Sequence, residues 1–368
     1  MGVYLVTFWT FFLACLYNAG KKEGTQHRTV QLVIFVILVV QAGLRWQMGT
    51  DWLSYFDNFE ATSTIETVLA NSLIGFELGY GLLTLLVHSF TDNYAVFLLI
   101  HALIFYVLVF DSNNKLSSYP IVSLLLFYSG TIGVLGSNRQ LLALSVCLFS
   151  LKYVFSKEKG KFLLAVVIAA LFHTSALLFG IYYFLNRSIK KRYLLALIVV
   201  SIAIGYSPLP QALFERVGSL FGDIGAYKAN YYSDNSNLVN DKLSISGLIK
   251  RLLIFMIVFF RYETVAKRNP RYTLIFNGYF VGLLIYFLFS NSLLILVNRG
   301  GLYFNIMEAF LLAGLLGLFK TPAERYVAFI PIFLYSILMF YQGISGYLDL
   351  FIPYQGVFIN TGYSRQLY

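Results

Sequence analysis

The residues best placed to do chemistry are an arginine and a histidine in two consecutive apolar segments. Ser137-Asn138-Arg139-Gln140 leads into LLALSVCLFSLKYVF. A basic turn, SKEKGK, then joins it to FLLAVVIAALFHTSALLFGIYYF, with His173 near its middle. Both segments are apolar enough for a bilayer, where an ionisable side chain is costly and usually has a purpose. Arg45, the pair Lys250-Arg251 and Arg299 lie, like Arg139, at segment ends away from the basic loops. Small or polar residues stand beside three of these positions: Gly49-Thr50-Asp51, Ser137-Asn138, and Asn298 with Gly300-Gly301. Any one of these cations is equally well explained as a snorkelling side chain at the interface. As a set they suggest an anion at the outer leaflet, because the guanidinium fork matches phosphate oxygens. A lipid phosphate or pyrophosphate is the simplest such anion.

Two groups are candidates for moving a proton. His173 lies deep in an apolar segment, where a lone histidine is more often a structural hydrogen-bonding group. Asp51 follows the tight Gly49-Thr50 turn and stands near Arg45 in the sequence. Glu308 falls inside a later apolar segment and is expected to balance an arginine, while His88 and His101 read as structural. The four histidines lack a spacing such as HxxxH, so no metal or other cofactor is expected. Tyr55, Tyr231 and Tyr232 lie in polar stretches and would suit stacking on a sugar.

The elements that must position these groups are membrane spans. The chain is 58% hydrophobic and 12% charged, whereas a soluble domain is nearer half apolar and a quarter charged. Apolar runs of span length recur throughout and lack the alternation of an outer-membrane barrel. The net charge of +10 sits mostly in short loops, as the positive-inside rule requires, and does not signal nucleic acid. Cys15 and Cys147 both fall within apolar segments, so no disulfide is expected.

This pattern predicts an all-α polytopic membrane protein, a single integral domain over residues 1–368 with about 10–12 transmembrane helices. The first segment, from Val3, is expected to stay in place as a span with the amino terminus outside. Residues 45–72 form an acidic outer loop, and Leu73 to Phe90 an interfacial helix on the same side. Residues 207–246 form a long polar loop outside, over the active site. Phe162 to Leu185 has basic clusters at both ends, so it is either one plain span or a re-entrant, broken helix with its tip near His173-Thr174-Ser175. Irregular backbone at that depth requires protein or a water-filled cavity around it.

The stretches LRWQMGTDWLSYFDNFE, FELGYGLL, SNRQLLALSVCLFSLKYVFSKEKGKF, ALFHTSALLF and NRGGLYF together resemble the EpsG branch of the Wzy-type polymerases. The resemblance runs from about Arg45 to Tyr303. It implies a GT-C-like enzyme of the bacterial inner membrane, with its active site facing the periplasm. Such an enzyme transfers a growing glycan from undecaprenyl pyrophosphate to a lipid-linked repeat unit, in O-antigen or capsule assembly, without a metal. It implies Arg45, Arg139, Arg299, Arg251 and Lys250 as pyrophosphate-binding groups, with His173 the first candidate for the base and Asp51 the second. Asn138, Gln140, Tyr303 and Glu308 become auxiliary groups. The partners implied are the two lipid-linked oligosaccharides, membrane lipids, a chain-length regulator and the flippase, with no nucleic acid. Rival readings are an O-antigen ligase, a membrane O-acyltransferase and a lipid-linked oligosaccharide flippase. The flippase should show two related halves, and none is visible.

Overall fold

The computed structural model describes residues 1–21, 24–25, 27–73, 75–219, 245–363 and 365. Among them the regular elements are helices, and β-pairing is confined to isolated bridges at Arg45–Gly356 and Gly356–Ile359. Five helices are long and apolar enough to cross a membrane: Gly2–Ala19, Tyr94–Leu116, Tyr272–Phe289, Leu296–Leu318 and Pro322–Phe351. Shorter apolar helices cover Arg28–Gly43, Leu78–His88, Pro120–Val134 and Thr174–Phe184. The protein is an all-α polytopic membrane protein.

The chain divides into two compact units, Met1–Tyr183 with Leu312–Tyr368, and Phe184–Leu311. In the first unit, helices α1 (Gly2–Ala19) and α2 (Arg28–Gly43) are followed by two short ones, α3 (Trp52–Ala61) and α4 (Ile65–Leu73). Then come α5 (Leu78–His88), α6 (Tyr94–Leu116), α7 (Pro120–Thr131), α8 (Asn138–Phe155) and α9 (Lys159–Ala170). The 45–72 stretch therefore holds two helices. The interfacial helix expected from Leu73 begins only at Leu78, after a turn containing Gly75 at φ 113°. At 11 residues it rises about 17 Å, short of the roughly 30 Å hydrocarbon core.

Without a hydrophobic drive between helices in lipid, small residues and polar pairs hold such a bundle. Gln41 donates to the Tyr128 hydroxyl at 3.0 Å and its Oε1 accepts from Thr7 at 3.1 Å, joining α2, α7 and α1. Ser123 donates to Asn113 Oδ1 at 2.6 Å, joining α7 and α6. The chain after the last long helix returns to the end of α2, where Trp46 N–H donates to Gln355 O at 3.0 Å.

The segment 162–185 is broken: α9 stops at Ala170, and a 3₁₀ helix runs from Thr174 to Phe184. Eleven residues is long for a 3₁₀ helix, which rarely exceeds one turn. In the second unit, α10 (Lys191–Gly205) bends by 79° into α11 (Leu209–Ser219). Pro208 and Pro210 lack the N–H groups that would carry one continuous helix through the bend. Thus the 207–246 stretch opens with a helix, while 220–244, including Tyr231 and Tyr232, lie outside the described residues. The unit continues with α12 (Ile245–Arg268), α13 (Tyr272–Phe289) and the start of α14 (Leu296–Leu318).

One close backbone approach sets the site described below. Gly49, at φ 94°, lies so near Gly136 that a β-carbon there would come within 2.4 Å of Gly136 Cα. Gly49→Ala should therefore destabilise the protein by about 1–3 kcal/mol through overpacking and strain. Gly160, in α9, has nothing within 4 Å of the same added atom. Gly160→Ala should leave stability unchanged or raise it. Thermal melting in detergent checks both, and a Gly49→Ala protein melting at the wild-type temperature would contradict the packing argument.

Candidate functional site

The Gly49–Gly136 contact brings the 47–51 loop against the start of α8. Asp51 occupies the N-cap position of α3, yet its carboxylate makes no capping bond to that helix. It accepts instead from Ser137 Oγ at 3.2 Å. Two residues on, Arg139 points from the first turn of α8 into a dense set of partners. Its Nη1 donates to Gly75 O at 2.5 Å and to Glu77 Oε2 at 2.6 Å, and its Nε donates to the Tyr55 hydroxyl at 3.2 Å. The guanidinium also lies 4.7 Å from the Phe76 ring centre. Cation–π contact of this kind is worth roughly 0.5–2 kcal/mol. Burial pushes the Tyr55 hydroxyl above its ordinary pKa, while the Arg139 guanidinium pulls it back and Asp51 adds to the rise.

Glu77 ties this arginine to the broken segment. Its second oxygen, Oε1, accepts from Thr174 N–H at 3.1 Å, and two residues along Gly79 N–H donates to Leu171 O at 2.7 Å. The turn before α5 thus grips both sides of the break that contains His173. A β-carbon on Gly79 would come within 2.7 Å of Leu171 O, so glycine is what permits this approach. The Glu77 and Arg139 side chains are 14% and 19% exposed. Losing one partner of a largely buried pair leaves an uncompensated charge, at a cost of about 3–5 kcal/mol when burial is complete.

His173 is buried, and its Nδ1 accepts from Ser175 N–H at 3.3 Å while lying 2.6 Å from Ser175 Oγ. The ring therefore works as a cap for the 3₁₀ helix, in the way an asparagine would. The Ser175 N–H bond to Nδ1 favours the neutral tautomer with the ring proton on Nε2.

Arg45, expected among outward-facing cations, is buried instead. It is 1% exposed and lies behind Arg139. Its Nη1 donates to Ala42 O and its Nη2 donates to Asn138 Oδ1 at 2.5 Å. Asn138 is further held by His101, whose Nε2 donates to Asn138 O at 2.9 Å, and by the Tyr80 and Tyr94 hydroxyls, each 3.5 Å from Nδ2. Arg45 has no carboxylate partner among the described residues. Asp51, expected beside it, faces Ser137. Gln140 is also buried, in the same turn of α8.

The remaining expected residues lie in the second unit. Arg299 stands exposed in a π-helical turn, Leu296–Gly300, closed by Gly301 N–H donating to Leu296 O at 2.9 Å. It is therefore inside the first turn of α14 and not in the loop before it. π-turns of this kind are frequent at functional sites. Tyr303 is fully buried one turn later. Arg251 lies 4.3 Å from the Tyr286 ring centre and donates to Gly247 O at 3.2 Å. Glu308, expected to balance an arginine, lies 4.0 Å from Lys250 Nζ.

A family model, the EpsG family, matches residues 28–356. The chain belongs to the EpsG family. No curated protein matches the chain, and no solved structure does. The EpsG family includes Wzy-type polymerase-like proteins, so the chain is a polysaccharide-polymerase-like membrane protein. Arg139, Glu77, Tyr55 and His173 all lie within the EpsG-matching region. Sequence reasoning gave no role to Glu77, the glutamate of FELGYGLL. A lone carboxylate in an apolar segment is itself a signal of function.

The grip on the break is open to test. Glu77→Ala should let the Thr174 amide exchange about tenfold faster or more, since a hydrogen bond to a charged acceptor is worth roughly 1.5–3 kcal/mol. Glu77→Gln, whose single amide oxygen cannot accept from both Thr174 N–H and Arg139 Nη1, should exchange at a rate between the two. Hydrogen exchange read by mass spectrometry decides this, and an unchanged rate in Glu77→Ala would show that Glu77 does not hold the break.

Proposed function

We propose that the protein is a repeat-unit polymerase of the bacterial inner membrane, with the Arg139 site facing the periplasm. It transfers a growing glycan from undecaprenyl pyrophosphate to a second, lipid-linked repeat unit. The observation that carries this reading is the Arg139 guanidinium, fixed at a helix start by Glu77, Gly75 O and Tyr55 and neighboured by the Asp51–Ser137 pair. The leaving group is lipid pyrophosphate, whose departing charge needs stabilising more than protonating. A preorganised arginine supplies that stabilisation without reorganising at the moment of reaction. Nε and Nη1 are committed to protein partners, so Nη2 is the edge assigned to the phosphate oxygens. Arg299, Arg251 and Lys250, in the second unit, remain candidates for binding an anion of the same class.

The acceptor hydroxyl is a poor nucleophile and gains from a base. We assign that role to Asp51. Its carboxylate sits at a helix start without capping it and is turned toward Ser137 beside Arg139. The His173 Nδ1 lone pair is already used by Ser175, so His173 is assigned to holding the break in shape. The transfer breaks the anomeric C–O bond to the donor's pyrophosphate and forms one to the acceptor oxygen. The hydroxyl proton passes to Asp51.

Reconstituted protein supplied with lipid-linked repeat units tests these roles. Arg139→Ala should abolish polymer while the protein still inserts, and Arg139→Lys should recover only part of it, because lysine lacks the planar fork. Asp51→Asn should slow transfer by about 10²–10⁴-fold, the usual contribution of a positioned base. His173→Asn should keep most activity, since the asparagine oxygen can accept from Ser175 N–H as Nδ1 does. A dead His173→Asn enzyme beside an active Asp51→Asn enzyme would reverse the two assignments. Full polymer length in Arg139→Ala would remove Arg139 from the site.

A further inference from the structure

The residues after Phe351 fold back over the loop that carries Asp51. Chain ends are loosely held unless something ties them down, and this one is tied at several points. Tyr354 O–H donates to Gln41 O at 2.8 Å, and Asn360 Nδ2 donates to Tyr354 O at 2.6 Å. Val357 N–H donates to Leu44 O at 2.9 Å, next to the Trp46 bond to Gln355 O. Gln355 Nε2 reaches Gln47 Oε1 at 3.4 Å. Arg365 closes the arrangement. Its Nη1 donates to Gln47 O at 3.1 Å and to Leu350 O at 2.9 Å, and its Nη2 donates to Pro353 O. One guanidinium thus joins the loop to two carbonyls of the returning chain. Gln47, where these bonds converge, stands at φ 50°, in the left-handed region that a residue with a β-carbon avoids. Gly49, two residues on, is left-handed as well, and glycine pays no such penalty. A non-glycine residue keeps this conformation only where its surroundings over-determine it, and such residues gather where function needs a fixed geometry.

We infer that Arg365 is a positioning residue for the reaction: it holds the 47–51 loop in its left-handed course and thereby sets Asp51 against Ser137. The inference rests on the reading above that gives Asp51 the proton. Arg365 lies outside the matched residues 28–356, so membership of the family assigns it no role. The bonds it makes are charge-assisted, and a guanidinium can serve three carbonyls at once where an amide could not. Arg139 is held by a separate set of partners, Glu77, Gly75 O and Tyr55. The returning chain therefore governs the transfer step and leaves the binding of pyrophosphate to α8 and the turn before α5.

The test uses full-length protein in lipid nanodiscs. It measures turnover of lipid-linked repeat units, affinity for undecaprenyl pyrophosphate, and hydrogen exchange of the peptide covering residues 46–51. Arg365→Ala should lower kcat by about 10²-fold, the effect of misplacing a reacting group by about 1 Å. Its affinity for undecaprenyl pyrophosphate should change by less than about threefold. Amides of the 46–51 peptide should exchange about tenfold faster or more, because a charge-assisted bond to the loop is lost. Arg365→Lys should recover part of kcat, since an ammonium group still donates to the nearest carbonyls. Adding Gln47→Gly to Arg365→Ala should also recover part of it, because glycine holds φ 50° unaided. Wild-type kcat or unchanged exchange in Arg365→Ala would overturn the inference and leave the polymerase reading intact. Equal losses of turnover and of pyrophosphate affinity, relieved neither by lysine nor by Gln47→Gly, would make Arg365 a general structural residue and overturn it too. A wild type that makes no polymer, with Arg365→Ala loosening the loop as expected, would sink the polymerase reading and leave the hold on the loop standing.

Discussion

The Glu77 carboxylate makes two bonds that hold together three parts of the first unit. One oxygen takes Arg139 Nη1 at 2.6 Å, at the start of α8, and the other takes Thr174 N–H at 3.1 Å, at the break after α9. Its own turn, opened by Gly75 at φ 113°, leads directly into α5. Because the pair is mostly removed from water, neither charge is cheaply left alone. The orientation of Arg139 and the shape of the broken segment are therefore coupled through one side chain. A ligand phosphate that draws on the guanidinium must act on the Glu77 contact as well.

Behind this pair stands a buried polar layer that fixes Asn138. Arg45, His101, Tyr80 and Tyr94 all reach Asn138, and none of them needs to meet a ligand to matter. A buried arginine bonded through Nη1 and Nη2 to a carbonyl and an amide oxygen is a strong constraint, because a shift of α8 would strip its Asn138 partner. In front of the pair the approach is made by glycine backbone, Gly49 against Gly136 and Gly79 against Leu171 O. Rigid support behind and close backbone contact in front are what a charge-stabilising site requires, since stabilisation at the reacting centre depends on preorganisation.

The membrane architecture was legible because it rests on composition and on run length, which are properties of the chain alone. Most helices fall within a few residues of where hydrophobic runs predicted them, and the break at His173 is one of the two alternatives that the flanking basic clusters left open. The site was legible in part. Arg139 stood out by charge and position, and Asp51 by its glycine turn. Arg45 looked equivalent to Arg139, because nothing local distinguishes an arginine that faces a ligand from one buried against Asn138 and Ala42. The role of Glu77 depends on partners at separations of 62 and 97 residues, which no local pattern carries. Likewise, His173 as a helix cap becomes visible only once Ser175 is seen folded back onto its ring.

The central claim is that Arg139 holds a pyrophosphate, and product binding tests it most directly. Affinity for undecaprenyl pyrophosphate should be measured in nanodiscs for the wild type and for Arg139→Ala, with undecaprenyl monophosphate as the comparison ligand. The account predicts that wild type prefers the pyrophosphate and that Arg139→Ala loses about 10–100-fold of that affinity, the value of one or two charge-assisted hydrogen bonds. Equal affinity of wild type and Arg139→Ala for the pyrophosphate would contradict it.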